Sequence, residues 1–113
     1  MKSKIHISCF SKGAVVSIAA LVNEGFEFAS CFGVCCPYIG DQERSDLHQI
    51  KTKVLLINGK ADPVLPHSMV EFPFGRLIER GLRFEHKTYE KLKHGFDDNV
   101  IADMQEFYQK QLI

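Results

Sequence analysis

The segment at residues 53–58, KVLLIN, constrains the fold of this chain more than any other feature. Its unbroken run of apolar residues suits a short strand covered on both faces, as in a parallel sheet. Further strands are predicted near residues 4–9, 29–35 and 83–89, and helices near residues 12–24, 74–80 and 98–111. Strands that alternate with helices predict an α/β fold with a mostly parallel four-stranded sheet and flanking helices. The length of 113 residues fits a single domain over residues 1–113.

The ends of the helices carry their own sequence signals. Pro73 lies inside an otherwise helical stretch, and proline lacks an amide donor and clashes with the preceding turn. We therefore expect a kink or a restart at Pro73, with Leu77 and Ile78 turned inward. Gly81 is predicted to end this helix, and Asp97 or Asp98 to cap the last one.

The charge balance bears on the kind of partner. Fourteen basic and fourteen acidic residues leave no net charge, so the sequence offers no basic field for a phosphate backbone. The apolar run at residues 14–22 is too short to span a bilayer. We expect a small-molecule partner, no nucleic acid and no membrane span.

Four cysteines stand at positions 9, 31, 35 and 36, three of them within one apolar run. Disulfide frameworks spread their cysteines along the chain, which this pattern does not do. Cys31 and Cys35 could form half of a zinc site, but the sequence shows no clear second half. We expect buried reduced thiols, no metal site, no cofactor and a cytoplasmic location.

Three polar residues follow three different predicted strands. Ser11 stands between a strand and a helix, with Gly13 two residues on, as in a nucleophile elbow, although Cys9 occupies the first glycine position. Asp62 follows the strand at 53–58, and His94 follows the last strand. Taken singly, they suit a helix N-cap, a turn residue before a proline and a loop histidine. Together they should meet, because ligands bind where the carboxyl ends of parallel strands gather.

Three segments resemble the C-terminal half of an α/β-hydrolase of the carboxylesterase, acyl-protein thioesterase and dienelactone hydrolase group. They are the elbow at residues 10–13, the strand and acid loop at 54–66 and the histidine loop at 94–96. The resemblance implies that Ser11 is the nucleophile, His94 the general base and Asp62 the residue that orients it. It also implies that the backbone N–H of Lys12 is one oxyanion donor.

The resemblance implies a serine hydrolase that cleaves carboxylic ester or thioester bonds. The family domain has further strands before its nucleophile, so we expect weak activity alone, and a homo-oligomer or a complementing N-terminal half. The alternative is a catalytically inactive remnant that acts as a binding or partner-dependent fragment. A flavodoxin-like or response-regulator-like binding domain shares the strand–helix pattern, but the acidic or glycine-rich loop it needs after the first strand is missing.

Overall fold

The structure is a computed structural model that describes residues 5–24, 27–36, 47–65 and 68–111. The predicted loop that begins at residue 38 lies outside these ranges up to residue 46, and a short 3₁₀ turn follows at Leu47–Gln49. The elements in chain order are β1 (His6–Phe10), α1 (Lys12–Val22), β2 (Ser30–Val34), β3 (Lys53–Gly59), α2 (Ser68–Glu79), β4 (Glu85–Tyr89) and α3 (Asp98–Gln111).

The described strands form one sheet in the order β1-β2-β3-β4, and every neighbouring pair is parallel. The predicted α/β fold with a parallel four-stranded sheet is therefore confirmed. Phe10 pairs with Val34, and Val34 pairs with Ile57. This register brings the ends of three strands level, so the loops that follow them open at the same edge of the sheet.

The helices cover both faces of the sheet. On one face α1 and α2 pack against the strands, with Ile18, Leu56 and Phe74 in the core. On the other face α3 places Val100 and Phe107 in a second core. The central strand β3 is buried from Val54 to Gly59, which explains its unbroken apolar sequence.

The second helix differs from the prediction in two ways. It does not restart after Pro73 but begins at Ser68 and contains the proline. The turns on either side of Pro73 bury Val70, Phe74 and Leu77, and this burial offsets the lost backbone hydrogen bond. The inward orientation expected for Ile78 is also wrong, since Ile78 is 58% exposed. Leu77 takes the core-facing position, and the next residue of a helix points about 100° away.

Both helix ends identified from the sequence are confirmed. Gly81 has a positive φ of 100°, and the amide of Leu82 donates to the carbonyl of Leu77 at 3.0 Å. At the start of α3, the Asp97 Oδ1 atom accepts from the amide of Val100 at 2.9 Å.

The structure separates the cysteines that were considered as half of a zinc site. All four cysteines are described as free thiols, and Cys31, Cys35 and Cys36 are buried. Cys31 lies in the core beneath α1, whereas Cys35 belongs to the core on the opposite face, so the two do not share a ligand position. Among the helices of the described ranges, none is long and apolar enough to cross a bilayer.

Candidate active site

Ser11 occupies a strained turn between β1 and α1. Its backbone has φ 54° and ψ −115°, and its amide donates to the Val34 carbonyl at 2.9 Å. Such a conformation costs a non-glycine residue about 1–3 kcal/mol, which the packing around it must supply. Within the described part of the chain the Ser11 side chain makes no capping bond to α1, so the N-cap interpretation fails. The strained turn fits a nucleophile elbow.

Cys9 stands two residues before Ser11, where a nucleophile elbow usually has glycine, and its thiol donates to the carbonyl of Phe32 at 3.4 Å. Cys9 pairs with Gly33 of the neighbouring strand. A Cβ added at Gly33 would lie 3.7 Å from the Cys9 sulfur, an ordinary contact, but 2.9 Å from a methyl carbon of Leu56. Leu56 therefore limits the residue at position 33, and Cys9 is accepted with its thiol hydrogen-bonded.

Asp62 is held as a buried carboxylate at the end of β3, with 5% of the residue exposed. Its Oδ1 atom accepts from the amides of Val64 and Leu65 at 2.8 and 2.9 Å. Burial alone would raise the pKa of Asp62, but the hydrogen bonds from His94, Leu65 and Val64 outweigh it and lower that pKa. Asp62 therefore carries a negative charge at neutral pH.

His94 joins the acid to the serine. Its Nδ1 atom lies 2.7 Å from Asp62 Oδ2, and its Nε2 atom lies 3.1 Å from Ser11 Oγ. A carboxylate can only accept, so Nδ1 carries the ring proton and Nε2 accepts from the Ser11 hydroxyl. The Phe10 ring packs 5.1 Å from the imidazole, centroid to centroid, and Phe10 in turn packs against Phe96. The structure brings together the three side chains that the sequence singled out.

The acid loop and the histidine loop are tied together by backbone contacts. The amide of Lys60 donates to the Tyr89 carbonyl at 2.9 Å, and that of Ala61 donates to the Leu92 carbonyl at 3.2 Å. Gly59 allows this approach, since a Cβ there would lie 1.9 Å from the Leu92 carbonyl oxygen. The short distance between Asp62 and His94 thus depends on glycine at position 59.

Replacing Gly59 with alanine should force the two loops apart. We expect a loss of about 1–3 kcal/mol in the free energy of unfolding, as found for overpacked sites, measured by urea denaturation. Gly75→Ala is the matched control, because no described atom lies within 4 Å of its Cβ position and alanine favours helices. A Gly59→Ala variant as stable as Gly75→Ala would contradict the close approach.

Cys35 lies behind the acid and the histidine, a position that sequence reasoning missed. It follows β2 with a positive φ of 55°, and its amide donates to the Ile57 carbonyl at 2.8 Å. The thiol lies 3.9 Å from the Lys93 carbonyl oxygen and 4.0 Å from that of Gly95. Burial raises the pKa of Cys35 to about 11, so the thiol is protonated at neutral pH. The sequence signal that could have placed Cys35 at the site is its position directly after a predicted strand.

The other histidines that the structure describes do not take part in the row formed by Ser11, His94 and Asp62. His6 Nδ1 lies 2.6 Å from the Ser30 hydroxyl, and His86 Nε2 lies 3.1 Å from Asn58 Oδ1. His48 is exposed in the 3₁₀ turn, and His67 lies outside the described residues. Lys12 is the first residue of α1, where a backbone amide has no partner within the helix.

A parallel sheet covered on both faces, with a serine on a strained strand-to-helix turn, is the architecture of the α/β-hydrolases. The chain belongs to the phospholipase/carboxylesterase family, whose family model matches residues 1–112. The predicted family resemblance is therefore confirmed. Among curated protein sequences, none is similar enough to this chain to count as a match.

Solved structures share the fold over part of their length. A carboxylesterase from Bacillus cereus matches with a TM-score of 0.79 and 15% identity, over 98% of this chain and 51% of that one. Acyl-protein thioesterase 2 from Zea mays matches with a TM-score of 0.79 and 16% identity, over 97% of this chain and 57% of that one. The chain thus spans about half the length of the structures it resembles.

Proposed function

We propose that this chain carries the nucleophile, base and acid of a serine hydrolase that cleaves carboxylic ester or thioester bonds. The observation that supports the proposal is the continuous hydrogen-bonded row from Asp62 through His94 to the Ser11 hydroxyl. A buried carboxylate orients the imidazole, and the imidazole accepts the hydroxyl proton, which is the arrangement that activates a serine.

The proposed reaction has two halves. Ser11 Oγ attacks the carbonyl carbon while its proton passes to His94 Nε2, and the intermediate collapses as His94 returns that proton to the leaving alcohol or thiol. Water then attacks the acyl-serine, and His94 again carries the proton from the nucleophile to the leaving serine oxygen. Asp62 stabilises the imidazolium in both halves, because its charge lies 2.7 Å from Nδ1.

The developing oxyanion needs donors as well. We propose the backbone N–H of Lys12 as one of them, since it follows Ser11 directly at the start of α1. Losing one oxyanion donor typically lowers kcat by about 10²–10³-fold. We therefore expect weak activity towards small activated esters whenever no second donor joins the Lys12 amide.

The surroundings of the base support an apolar substrate group. Phe10 and Phe96 are both large, partly exposed apolar residues, and their rings lie 5.3 Å apart beside His94. Covering such a surface with an acyl chain removes apolar area from water, which favours binding.

A fluorophosphonate probe tests the proposal, because it bonds covalently to an activated serine. We expect one adduct per chain, on Ser11. Trypsin cleaves after Lys12, which places Ser11 in the peptide 5–12 and Ser17 in the next peptide, so Ser17 is an internal control. The peptide 5–12 also contains Ser8, so tandem mass spectrometry that locates the adduct within each peptide is the measurement. A folded chain that takes up no probe, or takes it up on Ser17, would refute the proposal.

The second candidate function is a non-catalytic fragment that binds a partner. The observation in its favour is that β1 lies at one edge of the described sheet, beside Ile5, which is 61% exposed. Such an edge offers unpaired backbone groups to a second copy or to a complementing chain. A folded chain without a probe adduct would favour this candidate.

A further inference from the structure

Three side chains of different chemistry converge behind the reacting hydroxyl. Cys35 follows β2, Asp62 follows β3 and His94 follows β4. One ligand atom from each lies within 4.8 Å of the other two, and Cys35 and Asp62 are buried. Thiolate, imidazole and carboxylate are the three ligand types that zinc uses in proteins.

The three ligand atoms would have to adjust their spacing to form a tetrahedral site. Bond lengths of about 2.0–2.3 Å place neighbouring zinc ligands about 3.3–3.6 Å apart. His94 Nδ1 and Asp62 Oδ2 lie 2.7 Å apart, so they must separate by about 0.6 Å. To bind the metal, the Cys35 thiol gives up long contacts with the carbonyls of Lys93 and Gly95 and a hydrogen bond with Asp62. The His94 side chain is 20% exposed, so it is the most accessible of the three ligands.

We propose that Cys35, Asp62 and His94 bind a thiophilic divalent cation such as Zn²⁺, and that the bound cation inhibits the site. The inhibition rests on the proposed function, whereas the binding does not. The ion would take three protein ligands and leave a fourth position for water.

Inhibition follows from the tautomer of His94. A metal on Nδ1 uses the lone pair of that nitrogen, so the ring proton moves to Nε2. Nε2 then donates and cannot accept the proton of Ser11. When Cys35 binds the metal, its thiol releases a proton to solvent and the sulfur–metal bond takes the place of the S–H bond.

Cobalt titration tests the binding directly. Co²⁺ added to the reduced, folded chain should produce a thiolate-to-cobalt charge-transfer band that saturates at one ion per chain and is abolished by Zn²⁺. Cys35→Ser should lose the band and weaken Zn²⁺ binding by at least about 100-fold. Cys9→Ser is the matched control and should keep both. A hydrogen bond with Cys31 lowers the pKa of Cys9, so Cys9 is the thiol that would compete for the metal.

Three results of this titration would overturn the metal site. They are a folded wild-type chain without the band, a Cys35→Ser variant that keeps it, and a Cys9→Ser variant that loses it.

Probe labelling tests the inhibition. One equivalent of Zn²⁺ should slow fluorophosphonate labelling of Ser11 by at least tenfold, and EDTA should restore the rate. Cobalt binding with an unchanged labelling rate would overturn the inhibition. A chain that takes up no probe even without metal would refute the proposed function, while the cobalt titration would still decide the metal site.

Discussion

Replacing Ser11 with alanine is expected to lower the hydrolysis of p-nitrophenyl acetate by at least about 10³-fold, or to the rate of buffer alone. The variant keeps a Cβ on the strained backbone, so the turn is no more strained than before. What disappears is the oxygen that lies 3.1 Å from His94 Nε2 and forms the acyl bond. The measurement is kcat/KM, determined from the rate at which nitrophenol is released.

Ser17→Ala is the control for this comparison. Ser17 lies on α1, and its hydroxyl donates to the Gly13 carbonyl at 3.0 Å, away from the imidazole. The activity of Ser17→Ala should equal that of the unaltered chain. Turnover that persists in Ser11→Ala would assign the hydrolysis to another group. Robust turnover by a monomer that vanishes in Ser11→Ala would contradict the expected weak activity of the chain alone.

Asp62→Asn is expected to lower kcat/KM by about 10³–10⁴-fold with little change in fold. The asparagine Oδ1 atom can still accept from the amides of Val64 and Leu65, which keeps the loop in place. Its NH₂ group then faces His94 Nδ1 and donates to it. The ring proton moves to Nε2, which no longer accepts from Ser11.

The matched control for Asp62→Asn is Asp97→Asn, the same change at the cap of α3. Asparagine is as good an N-cap as aspartate, so stability and activity should both persist. The measurements are kcat/KM and the thermal midpoint of each variant. An Asp62→Asn variant as active as the unaltered chain would contradict the orienting role proposed for the carboxylate.

The parallel sheet could be predicted from the sequence because its strands differ sharply in pattern from its helices. The buried run of β3 and the alternation in β1 are local signals that need no tertiary information. The positions of Ser11, Asp62 and His94 followed from a single topological rule, that parallel strands end at a common edge.

What the sequence left open depends on packing between distant residues. The helix through Pro73 persists because Phe74 and Leu77 find a core that no local pattern reveals. The spacing of Cys31 and Cys35 suggested that both could bind one metal ion. Cys35 lies just past the end of β2, where the alternation of the strand no longer holds, so it faces the opposite core from Cys31. Its neighbours, Asp62 and His94, are far away along the chain.

The pairing of Gly33 with Leu56 has a consequence for how this sequence can change over time. A Cβ at position 33 would lie 2.9 Å from a methyl carbon of Leu56, so the effect of a substitution at either position depends on the residue at the other. A side chain at position 33 is disfavoured while leucine stands at position 56, and becomes acceptable when a smaller residue stands there. The two positions form one epistatic pair, so the order in which mutations arise decides which of them the sheet can accept.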